Sequence, residues 1–583
     1  MIRGVIKNGL ETISKNKITS IFFLVLFLSL TAHLLVRNKH YQECDSSLVY
    51  RVMYDFPYST MPFLNGVSRG GGIALSQETA SSLVNNTIVN GLLKTSLGDK
   101  YNESKKETLI KMLSTDAKSP FFYLRSAVVF GIIAAGKYIP HFIQSAFILP
   151  FSTTYSFGHG LFYGLLSGSH TSYQDFMSRT ISLTLILFHL SVIFVFLTMR
   201  RLGVRPIPAT IGSLFMLFSI TLYSYGYHLG STVWNFSAGV FFLWFAVTQY
   251  SRCPKEVYLR RIPWLAGILV FFSYVVVFYW TSFLFAYFFM QKKYADNKTF
   301  FKEACVFLKT QTPAIVLIFL CAFLFYPFGQ TPTESIKSLS DVFSFSYYII
   351  LNIFSFYNKS SVVDAVQFIL AVSLIGIGIY ALSKNREEKE RTLAGSMIMF
   401  FFLILFVPVI IGILSFGPSR HILFIVPFLF VLAGIGMNFI FDHLNISYKT
   451  GIILIALVAL AGFACLSLRT NDAFDKTSLI KIDPSVNHVR ISGCSFHLLY
   501  KNWGENRTVE MARSEYRKGD TYYYVGEDTL SGIPLEKGMT ADVISTKNVQ
   551  TGIQFTSYSP EKYPWDRQNG FSAITFRVVD VSI

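Results

Sequence analysis

The sequence predicts a polytopic α-helical membrane protein, with about 11 transmembrane helices and a small C-terminal soluble domain of mixed α/β type. Three observations carry that expectation. The chain is 52% hydrophobic and contains 58 Phe among 583 residues. Its apolar runs repeatedly reach the ~20 residues that a helix needs to cross ~30 Å of hydrocarbon. Lys and Arg cluster at the ends of those runs, as the positive-inside bias of membrane loops requires.

The net charge of +17 raises the question of nucleic-acid binding. Residues 470–583 carry 13 Lys and Arg against 14 Asp and Glu, so the whole excess lies in residues 1–469. A membrane-loop bias explains that distribution, and no nucleic-acid partner is expected.

Taken in order, Ile18–Val36 holds no Asp, Glu, Lys or Arg and forms the first span. Arg3, Lys7, Lys15 and Lys17 before it set the N-terminus in the cytoplasm, and no small-residue cleavage site follows, so the helix is read as uncleaved. Ile181–Met199 is the next strong span, and Arg200, Arg201 and Arg205 mark its cytoplasmic end. Residues 37–180 then form a large outer loop. Two half-length apolar runs inside it, 126–136 and 143–151, are read as helices lying in the interface. Further spans are expected at 208–227, 234–250, 313–328, 362–382, 396–416, 421–441 and 451–468.

The 29-residue run 262–290 is too long for one span and short for two. Arg260 and Arg261 precede it and Lys292 and Lys293 follow it, so an even number of crossings is expected: two shortened helices meeting in the outer leaflet. The domain reading is a transmembrane domain over 1–468 and an outer soluble domain over 469–583. In the latter, 485–500, 519–528, 540–548 and 572–583 read as short strands between polar turns. Cys44 and Cys494 lie on the outer side, as one disulfide or as two free thiols.

The residues able to carry chemistry cluster at the water–lipid boundary. Glu43 and Asp45 lie just past the first span, where a low dielectric raises the cost of a carboxylate and shifts its pKa upward. Either suits a general base that draws a proton from a hydroxyl; the plainer alternative is an acidic turn balanced by Arg37, Lys39 and Arg51. Arg420 and His421 open a late helix at its outer end, where the helix dipole also favours an anion. Arg51 and Lys137 are further cationic candidates for a phosphate. Asp116, Asp175 and His159 are possible acceptor-site residues or structural groups. No metal-ligand spacing occurs, and "SRGGG" at 68–72 lacks the G-K-[ST] of a phosphate loop.

Several stretches resemble the GT-C glycosyltransferases, membrane enzymes that use polyprenyl-phosphate sugars. "ECDSSLVY" (43–50) resembles their first outer loop. The segment from Met177 to Leu229 resembles their Arg-led second helix, basic turn and third helix. "GPSRHILFIVPFLFVLAGIG" (417–436) is similar to the Arg/His-apolar-Pro pattern of protein-mannosyltransferase-like and aminoarabinose-transferase-like members, and "KSPFFYLRSA" (118–127) is similar to a loop motif of the same group. The resemblance implies an inverting transfer of a sugar from a polyprenyl-phosphate donor, with Asp45 or Glu43 as base and Arg420 and His421 at the leaving phosphate. The acceptor would be a lipid-linked glycan, lipopolysaccharide, a wall polymer or a protein. It implies no certain cofactor, although some relatives use a divalent metal. The expected compartment is a bacterial inner membrane with the active face in the periplasm; an endoplasmic-reticulum membrane with a lumenal active face has the same topology. A secondary transporter and an O-antigen ligase or polymerase-like enzyme are the alternatives; the first would show inverted repeats and midplane charges, and the second usually lacks a soluble C-terminal domain.

Overall fold

The computed structural model describes most of residues 17–36, 76–94, 138–152, 156–168, 172–219, 231–294, 297–325, 361–384, 389–410, 420–472, 486–491, 508–511, 516–526, 538–553 and 568–580, with short pieces around 49–53, 103–110 and 346–354. Described helices run as far as Asp472, and the described residues beyond it form strands.

Helix α1 (Lys17–Val36) is the expected first span. It buries one stripe, Ile18, Phe22, Val25 and Leu26, and leaves Leu24, Phe27 and Leu35 exposed. Its partner is α5 (Tyr173–Arg201), against which Phe22 stacks on Phe196 at 4.4 Å. At 29 residues, α5 is about 43 Å long, which exceeds the hydrocarbon thickness. Between these two helices lie the short α2 (Gln77–Asn85) and a hairpin of α3 (His141–Ser152) and α4 (Phe157–Ser167). The apolar run 143–151 is thus helical, and its described partner is α4 rather than 126–136, which falls almost wholly outside the described residues.

A tight turn over Leu202–Arg205 leads into α6 (Pro206–Leu217), where Pro occupies the first helical position and its missing N–H costs nothing. The described helix here has 12 residues; of the expected span 208–227, the part past Ser219 lies, but for Leu222, outside the described residues. Next come α7 (Ser231–Arg252), α8 (Lys255–Val270) and α9 (Val276–Tyr294). The long run 262–290 is therefore split by a non-helical break at Phe271–Val275. Helices α8 and α9 also extend outward to include Arg260, Arg261 and Lys292, because long basic side chains carry their charge to water from within a helix.

Helix α10 (Asn297–Thr310), a segment read from sequence as an inner loop, joins α11 (Thr312–Phe325) at a 45° bend. Helices α12 (Ser361–Lys384) and α13 (Lys389–Ile410) follow, and a 3-10 helix (Arg420–Ile425) runs straight into α14 (Val426–His443). The last helix is α15 (Tyr448–Asp472), which passes the expected boundary at 468. Helix α14 is the centre of the bundle, packed against α5, α6 and α12. It is 83% buried along its apolar window, against 17% for α15.

Among the described residues five helices are long and apolar enough to cross a membrane, and the bent α10–α11 pair makes a sixth if it is one span. The chain is a helical membrane protein by that measure.

The basic ends of several helices meet at one end of the bundle. Arg201 pairs with Glu390 at 2.5 Å and Arg205 with Asp442 at 2.7 Å. The Arg391 Nε donates to the Leu202 carbonyl at 2.7 Å, and the Arg205 backbone N–H donates to Asn438 Oδ1 at 2.8 Å. The α5–α6 turn is thereby clamped between the start of α13 and the end of α14.

The tail forms a mixed five-stranded sheet in the order β2-β1-β3-β5-β4. Strands β1 (His488–Ile491), β2 (Thr508–Met511) and β3 (Thr521–Gly526) are parallel, while β4 (Met539–Ile553) and β5 (Gln568–Asp580) form an antiparallel pair beside β3. Four of these strands lie within or overlap the predicted segments. β2, "TVEM", was not expected, since four residues show no useful alternation. Tyr516, Tyr522, Phe576 and Val578 make the core of the sheet, and the Arg490 guanidinium lies 4.9 Å from the Tyr522 ring centre.

Candidate functional site

The end of the bundle opposite the Arg201–Glu390 clamp holds a second, separate core. It gathers Val49 and Met53, Ile148 and Leu149 of α3, Tyr163 of α4, Phe176, Met177, Ile181 and Leu185 of α5, and Trp234 of α7. Val49 is only four residues past Asp45 in the chain. Tyr50 packs edge-on against Tyr173 and Phe176, at 5.1 and 5.2 Å. The stretch that follows the two acids is therefore seated on the first turn of α5 and on α4.

Helix α4 sits across the α8–α9 break. The Gly158 N–H donates to the Phe271 carbonyl at 2.7 Å, and the Ser156 hydroxyl donates to the Phe272 carbonyl at 2.7 Å. Two carbonyls freed by the broken helix thus find donors, which burial makes obligatory. Ser273 in the same break donates to Asn235 Oδ1 at 2.7 Å. On its other side α4 meets α3 at backbone distance, because a Cβ on Gly160 would lie 2.1 Å from the Ser145 carbonyl oxygen. Glycine spacing of this kind is how two helices approach closely without large side chains between them.

His159 lies inside this joint and is fully buried. Its Nδ1 accepts from the Ser156 N–H at 3.2 Å and lies 2.6 Å from Ser156 Oγ. The neutral ring then carries its proton on Nε2. Burial holds the imidazole far below its usual range, at about 3, so it is uncharged at neutral pH. A Ser–His pair invites comparison with a nucleophile and its base, but both groups are enclosed and the serine closes the α4 N-terminus. His159 stands in the role that Glu plays in a capping box. Its ring also lies 4.8 Å from Trp234, whose Nε1–H donates to the Tyr163 hydroxyl at 3.2 Å.

Asp175 is also structural in these contacts. Its backbone N–H donates to Ser172 Oγ at 3.1 Å and its carboxylate accepts from the same hydroxyl at 2.8 Å, an N-cap with an acid in the first turn. Arg179, one turn on, donates to the Leu166 carbonyl at the end of α4. The backbone of Arg420 and His421 starts the 3-10 helix, and the Tyr279 hydroxyl, just past the break, donates to the Phe424 carbonyl in that helix. Phe424 also stacks on Phe278 at 5.9 Å. The side chains of Arg420 and His421, and Glu43, Asp45, Arg51, Asp116 and Lys137 altogether, lie outside the described residues. Among the described residues no three of His, Cys, Asp and Glu group as metal ligands do.

Sequence reading missed the polar contacts inside the bundle. His189 of α5 donates from Nδ1 to the Leu185 carbonyl at 2.8 Å, which leaves Nε2 to accept from Ser29 of α1 at 3.3 Å. The His33 ring meets that of His189 edge-on at 5.2 Å. The signal was present: a histidine within an apolar run is costly unless it is paired. Asn235 and Ser273 were legible on the same ground.

No family model, no curated protein and no solved structure matches the chain.

Proposed function

We propose that the chain is a membrane glycosyltransferase of the GT-C type, which moves one sugar from polyprenyl phosphate to an acceptor on the outer face of a bacterial inner membrane. In this reading it crosses the membrane 11 times, with its N-terminus in the cytoplasm and its sheet domain in the periplasm. One observation carries the reading. Residues just past the acid pair (Val49, Tyr50 and Met53) and the Arg420-led 3-10 helix are packed around the same end of the bundle, against α4, α7 and the α8–α9 break.

The chemistry follows from the residue types. Asp45 or Glu43 takes the proton of the acceptor hydroxyl as the oxygen attacks the anomeric carbon. The glycosidic bond to phosphate breaks with inversion, and the leaving polyprenyl phosphate keeps the bonding electrons. Arg420 and His421, with Arg51 and Lys137 as further cations, neutralise that charge near the interface. A divalent ion, where present, would supply further charge neutralisation at the phosphate. His159 and Asp175 hold α4 and α5 in position and take no part in the bond changes.

A secondary transporter is the second reading, favoured by the broken α8–α9 pair with its Ser273–Asn235 contact, since transporters build sites at interrupted helices. The two readings part on one experiment. In a strain that depends on the protein, Asp45→Asn and Glu43→Gln are compared for surface glycan mass at matched membrane levels. A glycan one sugar short supports the transferase. Full modification by both variants removes the acid pair from the chemistry.

A further inference from the structure

We propose that α10 is a surface helix that binds anionic phospholipid headgroups at the basic end of the bundle. The proposal does not depend on the enzymatic reading. One face of α10 is fixed to the protein: Phe307 is buried and stacks on Tyr287 of α9 at 4.4 Å, and Glu303 pairs with Lys255 of α8 at 2.9 Å. That ion pair consumes the acid of the helix. At 100° per residue, Lys302, Cys305 and Lys309 fall on the opposite face, and all three are exposed.

The two lysines are two turns apart, about 10 Å along the axis, and among the described residues neither meets a carboxylate. Val306 and Leu308 flank them on the two sides and are 55% and 49% exposed. A face with two cations at its centre and apolar residues beside them matches the boundary of an anionic leaflet, where the charge meets phosphate and the apolar groups meet acyl chains.

The turn into α11 parts that face from an apolar one. The helices bend by 45° at Gln311, which is buried and accepts from the Trp280 Nε1–H at 3.0 Å. Beyond the bend, α11 exposes Ile315, Val316 and Phe319, as a lipid-facing helix does. A water-facing helix would leave Val306 and Leu308 unpartnered at a cost. A protein partner or a second copy would give no dependence on lipid charge.

The full-length protein, with Cys305 as its only cysteine and labelled with an environment-sensitive fluorophore, is reconstituted in nanodiscs of phosphatidylcholine with increasing phosphatidylglycerol. The expected result is a blue shift and quenching by headgroup-labelled lipid that grow with phosphatidylglycerol and are reversed by salt. Each lysine near the surface is worth about fivefold in affinity for the anionic leaflet. Lys302→Gln with Lys309→Gln therefore removes most of the response, and Lys302→Arg with Lys309→Arg keeps it. A signal that is identical in neutral and anionic discs, or one that the Gln pair leaves unchanged, overturns the proposal.

Discussion

The hydroxyl of Ser29 and the Nε2 of His189 lie 3.3 Å apart across the contact between the first helix and α5. Because His189 Nδ1 faces a carbonyl, the tautomer is fixed and the serine is the donor. This polar link holds the helix from which the Glu43–Asp45 segment departs. Ser29→Ala is expected to lower stability by about 0.6 kcal/mol, the usual worth of an interhelical hydrogen bond in a membrane. His189→Leu is expected to cost more, because it also alters the ring contact with His33. Denaturant titration in mixed micelles measures both.

Two glycines of α12 make opposite predictions two residues apart. A Cβ on Gly378 would lie 2.1 Å from the Leu432 carbonyl of α14, whereas one on Gly376 meets nothing within 4 Å. Gly378→Ala should push α12 from α14 and cost about 1–3 kcal/mol, as overpacking does. Gly376→Ala should be neutral, or should stabilise by up to about 1 kcal/mol through helix propensity. Thermal melts of the two variants in the same detergent decide the matter.

The His159 joint predicts a pH dependence. Its imidazole has a lower pKa folded, about 3, than unfolded, 6.5. The unfolded form therefore binds the proton first on acidification, and stability rises with pH across this window. The α4 contribution is full above about 6.5 and is lost as pH falls from there toward 3. Protection factors of the α4 amides, taken against the intrinsic exchange rate at each pH, should fall over that range, and His159→Gln, which cannot titrate, should flatten the profile.

The two ion pairs of the clamp differ in exposure. Arg205 and Asp442 are 46% and 48% exposed, while Arg201 and Glu390 are 27% and 22% exposed. Solvent screening limits the first to about 0.2–1 kcal/mol. A double-mutant cycle should give a larger coupling for the second pair, and salt should weaken the first more.

Much of the fold was legible in the residues. Length and apolarity marked Ile18–Val36 and Ile181–Met199, and the excess length of 262–290 pointed to two helices, which the break at Phe271–Val275 separates. Strands β1, β3, β4 and β5 fall on segments that read as short strands between polar turns. The helices that sequence reading passed over include α2, α4 and α10, which are short and become helical in context. "FGHGLFYG" is poor in helix formers and depends on its glycine contact with α3, while "KEACVFLKT" is amphipathic but follows the basic cluster Lys292, Lys293 and Lys298, which marks an inner loop in the sequence. His159 and Asp175 could not be told from site residues by sequence, because a cap and a ligand use the same groups. Their roles came from the partners Ser156, Phe272 and Ser172, which are distant or unremarkable in the chain.

The central claim is that an acid after the first helix serves as base in sugar transfer from polyprenyl phosphate. The most direct measurement is release of polyprenyl phosphate by the purified full-length protein in nanodiscs, from a panel of polyprenyl-phosphate sugars with a lipid-glycan acceptor. The account predicts acceptor-dependent release by the wild type and a loss of about 10²–10⁴-fold in kcat when the general base, Asp45 or Glu43, is replaced by its amide. Equal release by wild type, Asp45→Asn and Glu43→Gln, or none by the wild type with any sugar of the panel, would contradict it.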